Sequence, residues 1–253
     1  MIFTSHFIPI FLRLIAYFYP QIICMKKIGI FIITGLMLVL AANAQQLSQV
    51  NFSNATTLSY FTFIIDGNLH IRISDDGRVL EWGTEQQSIR NSNYYSPQLQ
   101  PYPGRLAYYG KEADSVSVGK IKTIGSAEIS YYGKGELPFR IGKIRSINSQ
   151  RFNYFSPTDN KALSGKIKAM GILSLDFYPS YENEGFAGKL KSVGGTAITY
   201  YSSFDDKLIK GKLKSIGSNN YTWYTSFDRP GFGGSLKSGL LRLNVNAVQY
   251  VVQ

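Results

Sequence analysis

The chain has 253 residues, 44% hydrophobic and 17% charged, with 27 basic and 16 acidic side chains and a formal net charge of +11. One cysteine, Cys24, and two histidines exclude a disulfide scaffold and the usual cysteine- or histidine-built zinc sites. The positive balance points to polyanionic rather than cationic partners.

Residues 1–24 are apolar and aromatic, interrupted by Pro9 and Pro20, and read as an upstream extension ahead of a true start at Met25. Met25-Lys26-Lys27 is a basic n-region, residues 28–40 are uncharged and apolar, and Ala42-Asn43-Ala44 is a small-x-small cleavage pattern. Residues 25–44 therefore read as a secretory signal peptide, with Gln45 as the expected mature N-terminus. The alternative is an N-terminal hydrophobic hairpin that anchors the protein. Export to a periplasm, an outer surface or the extracellular space follows from the signal. Loss of Arg13, Lys26 and Lys27 leaves 24 basic against 16 acidic groups, a net +8, with no cysteine and His70 as the one histidine.

Residues 45–103 read as an N-terminal β region. Thr57–Ile65, 68–73 and 79–82 have strand composition, with turns at Asp66-Gly67 and Asp75-Asp76-Gly77. Gly77-Arg-Val-Leu-Glu-Trp-Gly83 and Gly104-Arg-Leu-Ala-Tyr-Tyr-Gly110 resemble the phrase that dominates the rest of the chain, but off its spacing. They read as degenerate repeats or a cap. Residues 84–103 are polar and proline-containing, a loop.

From 104 to 253 the sequence is an array. Gly119-Lys-Ile-Lys, Gly142-Lys-Ile-Arg, Gly165-Lys-Ile-Lys, Gly188-Lys-Leu-Lys, Gly211-Lys-Leu-Lys and Gly234-Ser-Leu-Lys begin 23 residues apart without insertion. Numbering each unit from that glycine, position 3 is Ile or Leu and position 7 is mostly glycine. Positions 13 and 14 are aromatic and position 18 is acidic. The Lys-Ile-Lys alternation has the period of a half-buried strand, and the aromatic segment after it has strand composition. Each unit is expected to be a β-hairpin with a three-residue turn at positions 7–9, pairing position 3 with 13 and position 5 with 11. Residues 241–252 alternate imperfectly and suggest a closing strand. The predicted class is all-β, with tandem 23-residue β-hairpin repeats forming an antiparallel meander, a curled sheet or a closed barrel. A parallel β-helix is disfavoured because it would stack like charges about 4.8 Å apart. A membrane barrel is disfavoured by Ser146, Ser192, Ser215 and Lys210 on its lipid face.

The wording Gly-Lys-Leu-Lys-Ser, at 188–192 and 211–215, is similar to MORN-type repeats, whose units are also short β-hairpins. The resemblance is confined to that phrase. The aromatic pair falls at a spacing that does not match that family's Tyr-x-Gly pattern, so no function comes with it.

No catalytic constellation, metal site or cofactor loop stands out. His70 lies between apolar neighbours on a predicted strand and reads as a sheet histidine. Ser117-Val-Gly-Lys120 matches a Ser-x-x-Lys pattern, yet its lysine belongs to the repeat phrase. The position-18 carboxylates, recurring in every turn, read as caps of backbone N–H groups and partners of lysines, with too few oxygens for calcium.

The strongest functional candidate is a cationic and aromatic face. Its cations are Lys120, Lys143, Lys166, Lys189 and Lys212 at position 2, and Lys122, Arg145, Lys168, Lys191, Lys214 and Lys237 at position 4. Tyr132, Tyr178, Tyr201 and Tyr224 are the aromatic contacts expected beside them. Such a surface suits an anionic envelope polymer such as a polysaccharide or lipopolysaccharide; a membrane surface is a further partner, and export argues against nucleic acid. The expected function is that of a non-catalytic, exported structural or binding protein. The alternatives are a neutral-carbohydrate module using the aromatic positions, an outer-membrane β-barrel, and an enzyme built around His70 and the 84–103 loop.

Overall fold

The computed structural model describes residues 47–65, 67–85 and 98–253. The expectations for residues 1–44, and for 86–97 of the predicted loop, lie outside these residues. The N-terminal part forms β1 (Leu47–Ser53), β2 (Thr57–Ile65), β3 (Leu69–Ile73), β4 (Val79–Glu85) and β5 (Leu99–Gln100). Shorter strands follow: β6 (Leu106–Tyr108), β7 (Ile121–Ile124), β8 (Ala127–Tyr131), β9 (Ile144–Ile147), β10 (Gln150–Tyr154), β11 (Ile167–Met170) and β12 (Leu173–Phe177). Then come β13 (Leu190–Val193), β14 (Thr196–Tyr200), β15 (Leu213–Ile216), β16 (Asn219–Asn220), β17 (Thr222–Trp223) and β18 (Leu236–Ser238). The chain ends in β19 (Arg242–Val245) and β20 (Val248–Val252). No α-helix occurs among the described residues; the one helical turn, Lys161–Leu163, is 3-10.

Strands β6 to β16 form one eleven-stranded sheet in strict sequence order, each neighbour antiparallel to the last. This is the expected meander. The closed barrel, offered as an alternative, does not form: β6 and β16 are free ends. An open sheet lacks the closure that a membrane-spanning barrel requires.

Curling is not needed to hide the apolar face, because a second sheet covers it. Its seven strands run β19-β20-β1-β2-β3-β4-β5, antiparallel except for the parallel pair of β1 with β20. The tail is thus a hairpin docked beside β1 rather than a single closing strand. Phe52, Phe61, Ile71 and Ile73 of this sheet and Ile144, Phe152, Ile167 and Leu213 of the meander are all fully buried in one core. Phe63 meets Phe152 across the layers at 5.6 Å between ring centroids. The turns of the covering sheet also supply polar closure. Gly77, Asp75 and Ala55 carbonyls accept from the backbone N–H of Ile144, Ile167 and Leu213 at 3.1, 2.7 and 2.7 Å. Gly77 is required there, since a Cβ would strike the Tyr154 ring.

The hairpin register differs from expectation. Within a unit the turn has two residues, with Ile124 opposite Ala127 and Thr123 opposite Glu128. The first turn residue adopts positive φ, 58° at Gly125 and 49° at Asn148, which is why glycine or asparagine stands there. The pairing of positions 13 and 3 does occur, but between units: Tyr131 opposes Ile144, and Tyr154 opposes Ile167. Ser130 opposes Ser146, so Arg145 is the extra residue of a β-bulge. The same bulge recurs at Lys122, Lys168, Lys191, Lys214 and Lys237. It turns two successive side chains outward and lets positions 3 and 6 both face the core. A strict period of two cannot express that arrangement.

Candidate functional site

The bulge divides the eleven cations into two rows. In the inner row, at position 2, each side chain lies over the position-13 ring of its own unit. Lys120 lies 4.8 Å from the Tyr131 centroid, Lys143 5.3 Å from Tyr154, Lys166 4.7 Å from Phe177, Lys189 5.1 Å from Tyr200 and Lys212 4.6 Å from Trp223. The ammonium then donates forward. Lys143 reaches the Gly165 carbonyl and Lys189 the Gly211 carbonyl, both at 2.5 Å, and Lys120 bonds Gly142 in the same way. Lys166 instead pairs with Asp75 of the covering sheet. These lysines are half-buried. Desolvation lowers the pKa of Lys120, Lys143 and Lys212, and takes that of Lys189 down to about 8.

The outer row stands on the bulges. All of its members are exposed except Lys191, which is half-exposed. Lys122, Lys168, Lys191, Lys214 and Lys237 lie 5.1–5.7 Å from the position-14 ring of the preceding unit. Three of them also meet a position-18 carboxylate: Lys168 with Asp159 at 3.0 Å, Lys191 with Glu182 at 3.1 Å and Lys237 with Asp228 at 2.9 Å. The hydrogen bond to Glu182 raises the pKa of Lys191, and Asp228 does the same for Lys237. Equivalent cations stand two strands apart, about 9.5 Å, close to the Debye length at physiological salt, so they coexist with modest repulsion.

The aromatic positions are occupied with the scaffold. Tyr132, Tyr178 and Tyr201 donate their hydroxyls to the carbonyls of Phe152, Ile198 and Tyr221 at 2.9, 2.9 and 3.0 Å. Tyr132 is buried, and Tyr224 packs against Phe232 at 5.5 Å. Position-13 groups donate back along their own unit: Tyr154 to Ile144, Tyr200 to Leu190 and Trp223 to Leu213. Edge-to-face contacts, Tyr132 on Tyr154 and Tyr178 on Tyr200, link one unit to the next.

The position-18 acids staple turns. Asp205 accepts from the Ser202 backbone N–H at 2.6 Å and hydroxyl at 2.8 Å, and Asp228 from the same two groups of Thr225, both at 2.8 Å. The Thr225 N–H, then Lys237, then the Thr225 hydroxyl bring the Asp228 pKa down to about 2. Asp159 also falls to about 2, through the Ser156 N–H and Lys168.

His70 is buried in β3, 3.6 Å from Glu85, and desolvation lowers its pKa. Ser117 and Lys120 lie in one turn, where the Lys120 N–H donates to the Ser117 carbonyl, and the Lys120 ammonium is committed to Gly142. Among the described residues no group of three or more His, Cys, Asp or Glu side chains is placed to hold a metal ion. The chain matches no family model, no curated protein and no solved structure.

One surface feature escapes the cation and aromatic positions singled out above. Tyr181, Phe204 and Phe227, 23 residues apart at position 17, are 83%, 93% and 92% exposed. Their spacing is legible in the sequence, but only at the last three of five equivalent sites, where the first two hold Gly135 and Thr158.

Proposed function

We propose that this protein is a non-catalytic, exported binding repeat protein that presents its outer basic row to an anionic envelope polymer such as a polysaccharide or lipopolysaccharide. The 23-residue unit is the building block of that surface. The observation that carries the reading is the series of six bulges, each placing a basic side chain outside the sheet at one fixed step. A linear polyanion with regularly spaced charges meets such a row without bending, and counterion release contributes to its affinity. Lys122, Arg145 and Lys214 are the main contributors, because no carboxylate pairs with them among the described residues. The inner row supports the surface from beneath, its ammonium groups already satisfied by carbonyls, rings and Asp75.

The test is retention of the purified protein on a sulfated polysaccharide column under rising salt. Charge reversal at Lys122, Arg145 and Lys214 is expected to shift elution to markedly lower salt. Elution of that variant together with wild type, or wild type passing through at low salt, contradicts the reading.

A further inference from the structure

Three aromatic rings standing almost wholly in water, in line, on rigid supports are the most conspicuous unexplained feature of the surface. Tyr181, Phe204 and Phe227 occupy the same place in three successive unit-to-unit turns. In each turn the following acid donates its backbone N–H to a carbonyl three residues back: Glu182 to Pro179, Asp205 to Ser202 and Asp228 to Thr225, all at 3.3 Å. The turns are braced to one another. The Asn183 side chain accepts from the Ser203 N–H at 2.9 Å, and Asp206 accepts from the Ser226 N–H at 3.2 Å and from the Ser226 hydroxyl. Each ring is therefore held on a fixed turn, at a step of two strands, about 9.5 Å. None of the three rings serves the core, so their exposure brings no folding benefit.

We infer that Tyr181, Phe204 and Phe227 form a linear stacking platform for a neutral β-linked polysaccharide. A line three rings long and one ring wide fits a chain-like ligand better than a globular one. A β-linked pyranose chain offers a flat C–H face to an aromatic ring, and its two-sugar repeat has about the same length as the step between these rings. The local charge gives anionic ligands no advantage. Residues 180–184, 203–207 and 226–230 contain five acids, Glu182, Glu184, Asp205, Asp206 and Asp228, and two bases, Lys207 and Arg229, while Lys191, Lys210 and Lys237 pair with Glu182, Glu184 and Asp228. The turns are thus close to neutral, unlike the net positive chain, and offer no cationic excess to an acidic glycan or an anionic lipid surface. Because the turns that carry the rings are braced before binding, little backbone ordering opposes the contact. The site shares no residue with the basic row, so the two readings fail independently.

Affinity electrophoresis through gels containing hydroxyethyl cellulose, in salt high enough to suppress ionic binding, tests the platform. Retardation of wild type is expected. Each single change, Tyr181→Ala, Phe204→Ala or Phe227→Ala, is expected to weaken it about three- to tenfold, and the triple variant to abolish it. Thermal melting of the triple variant should match wild type, because the rings touch so little of the fold. Absence of retardation for wild type overturns the inference, as does retained binding by a folded triple variant. Sedimentation and flotation with phosphatidylcholine vesicles complete the experiment. Self-association or vesicle binding that the triple variant loses, without retardation by the glycan, would assign the rings to a second copy or a lipid surface instead.

Discussion

Lys189 and Lys191 are two residues apart, just before and within β13, yet they live in different media. Lys189 lies over Tyr200, donates to the Gly211 carbonyl and is depressed in pKa by desolvation. Lys191 stands on the bulge beside Tyr178, pairs with Glu182 and is raised in pKa by that hydrogen bond. The inner lysine is a structural cross-brace between one unit and the next. The outer one is a solvated charge on a defined support. Lysines that look equivalent in composition thus divide into scaffold and surface, and the divider is a single inserted residue in the ladder.

The largest effect is expected between the rows. Ile167 separates inner Lys166 from outer Lys168, is fully buried, and donates its N–H to the covering sheet at Asp75. Ile167→Asp puts an unpaired carboxylate into the core and is expected to cost about 4 kcal/mol or more, seen as loss of the cooperative unfolding transition. A native-like melt would mean that the two sheets do not share that core.

Next in size is the contrast between the rows themselves. Lys189→Glu removes a half-buried donor from the Gly211 carbonyl and the cation from the Tyr200 face, for an expected loss of about 2 kcal/mol. Lys191→Glu removes an exposed pair and sets two carboxylates side by side, for an expected loss of about 0.5–1 kcal/mol. Urea titrations of the two variants measure the difference. Equal losses would erase the distinction between brace and surface.

Much of this organisation was readable beforehand. The spacing of the phrase, the Ile and Leu at position 3 and the strand composition around it led to an antiparallel all-β meander. Strands β2 and β3 fall almost where composition puts them. The covering sheet was harder to read, because it unites residues from both ends of the chain: β1 with β20 pairs Val50 to Tyr250, a contact 200 residues apart that no local pattern encodes. The turn length differs from expectation for a related reason. Period two admits positions 3 and 5 as the inward pair, whereas the bulge at position 4 makes the pair 3 and 6, as Ile121 with Ile124 or Leu213 with Ile216 shows. A strict period of two puts both cations of a unit on one equivalent face, and the bulge separates them. Position 6 is apolar in five units, and that was the available signal for the bulge.

The subtlest difference between the rows is in titration. Burial takes Lys189 from 10.5 to about 8, while Lys191 moves the other way. As pH rises past 8 the folded protein releases the Lys189 proton, whereas the unfolded chain keeps it until its ordinary lysine pKa. Between these values the unfolded state binds more protons, so this group's contribution to stability increases with pH. It is complete above the unfolded pKa and lost as pH falls through about 8. Lys189→Met removes the group, so the stability of wild type relative to this variant is expected to grow between pH 8 and 10. The corresponding comparison for Lys191→Met should be nearly flat, declining slightly toward pH 10, because its raised pKa keeps it charged in the folded state while the unfolded chain begins to release the proton first. Denaturant midpoints across that range provide the measurement, and parallel profiles for the two lysines would show that the inner row is as solvated as the outer.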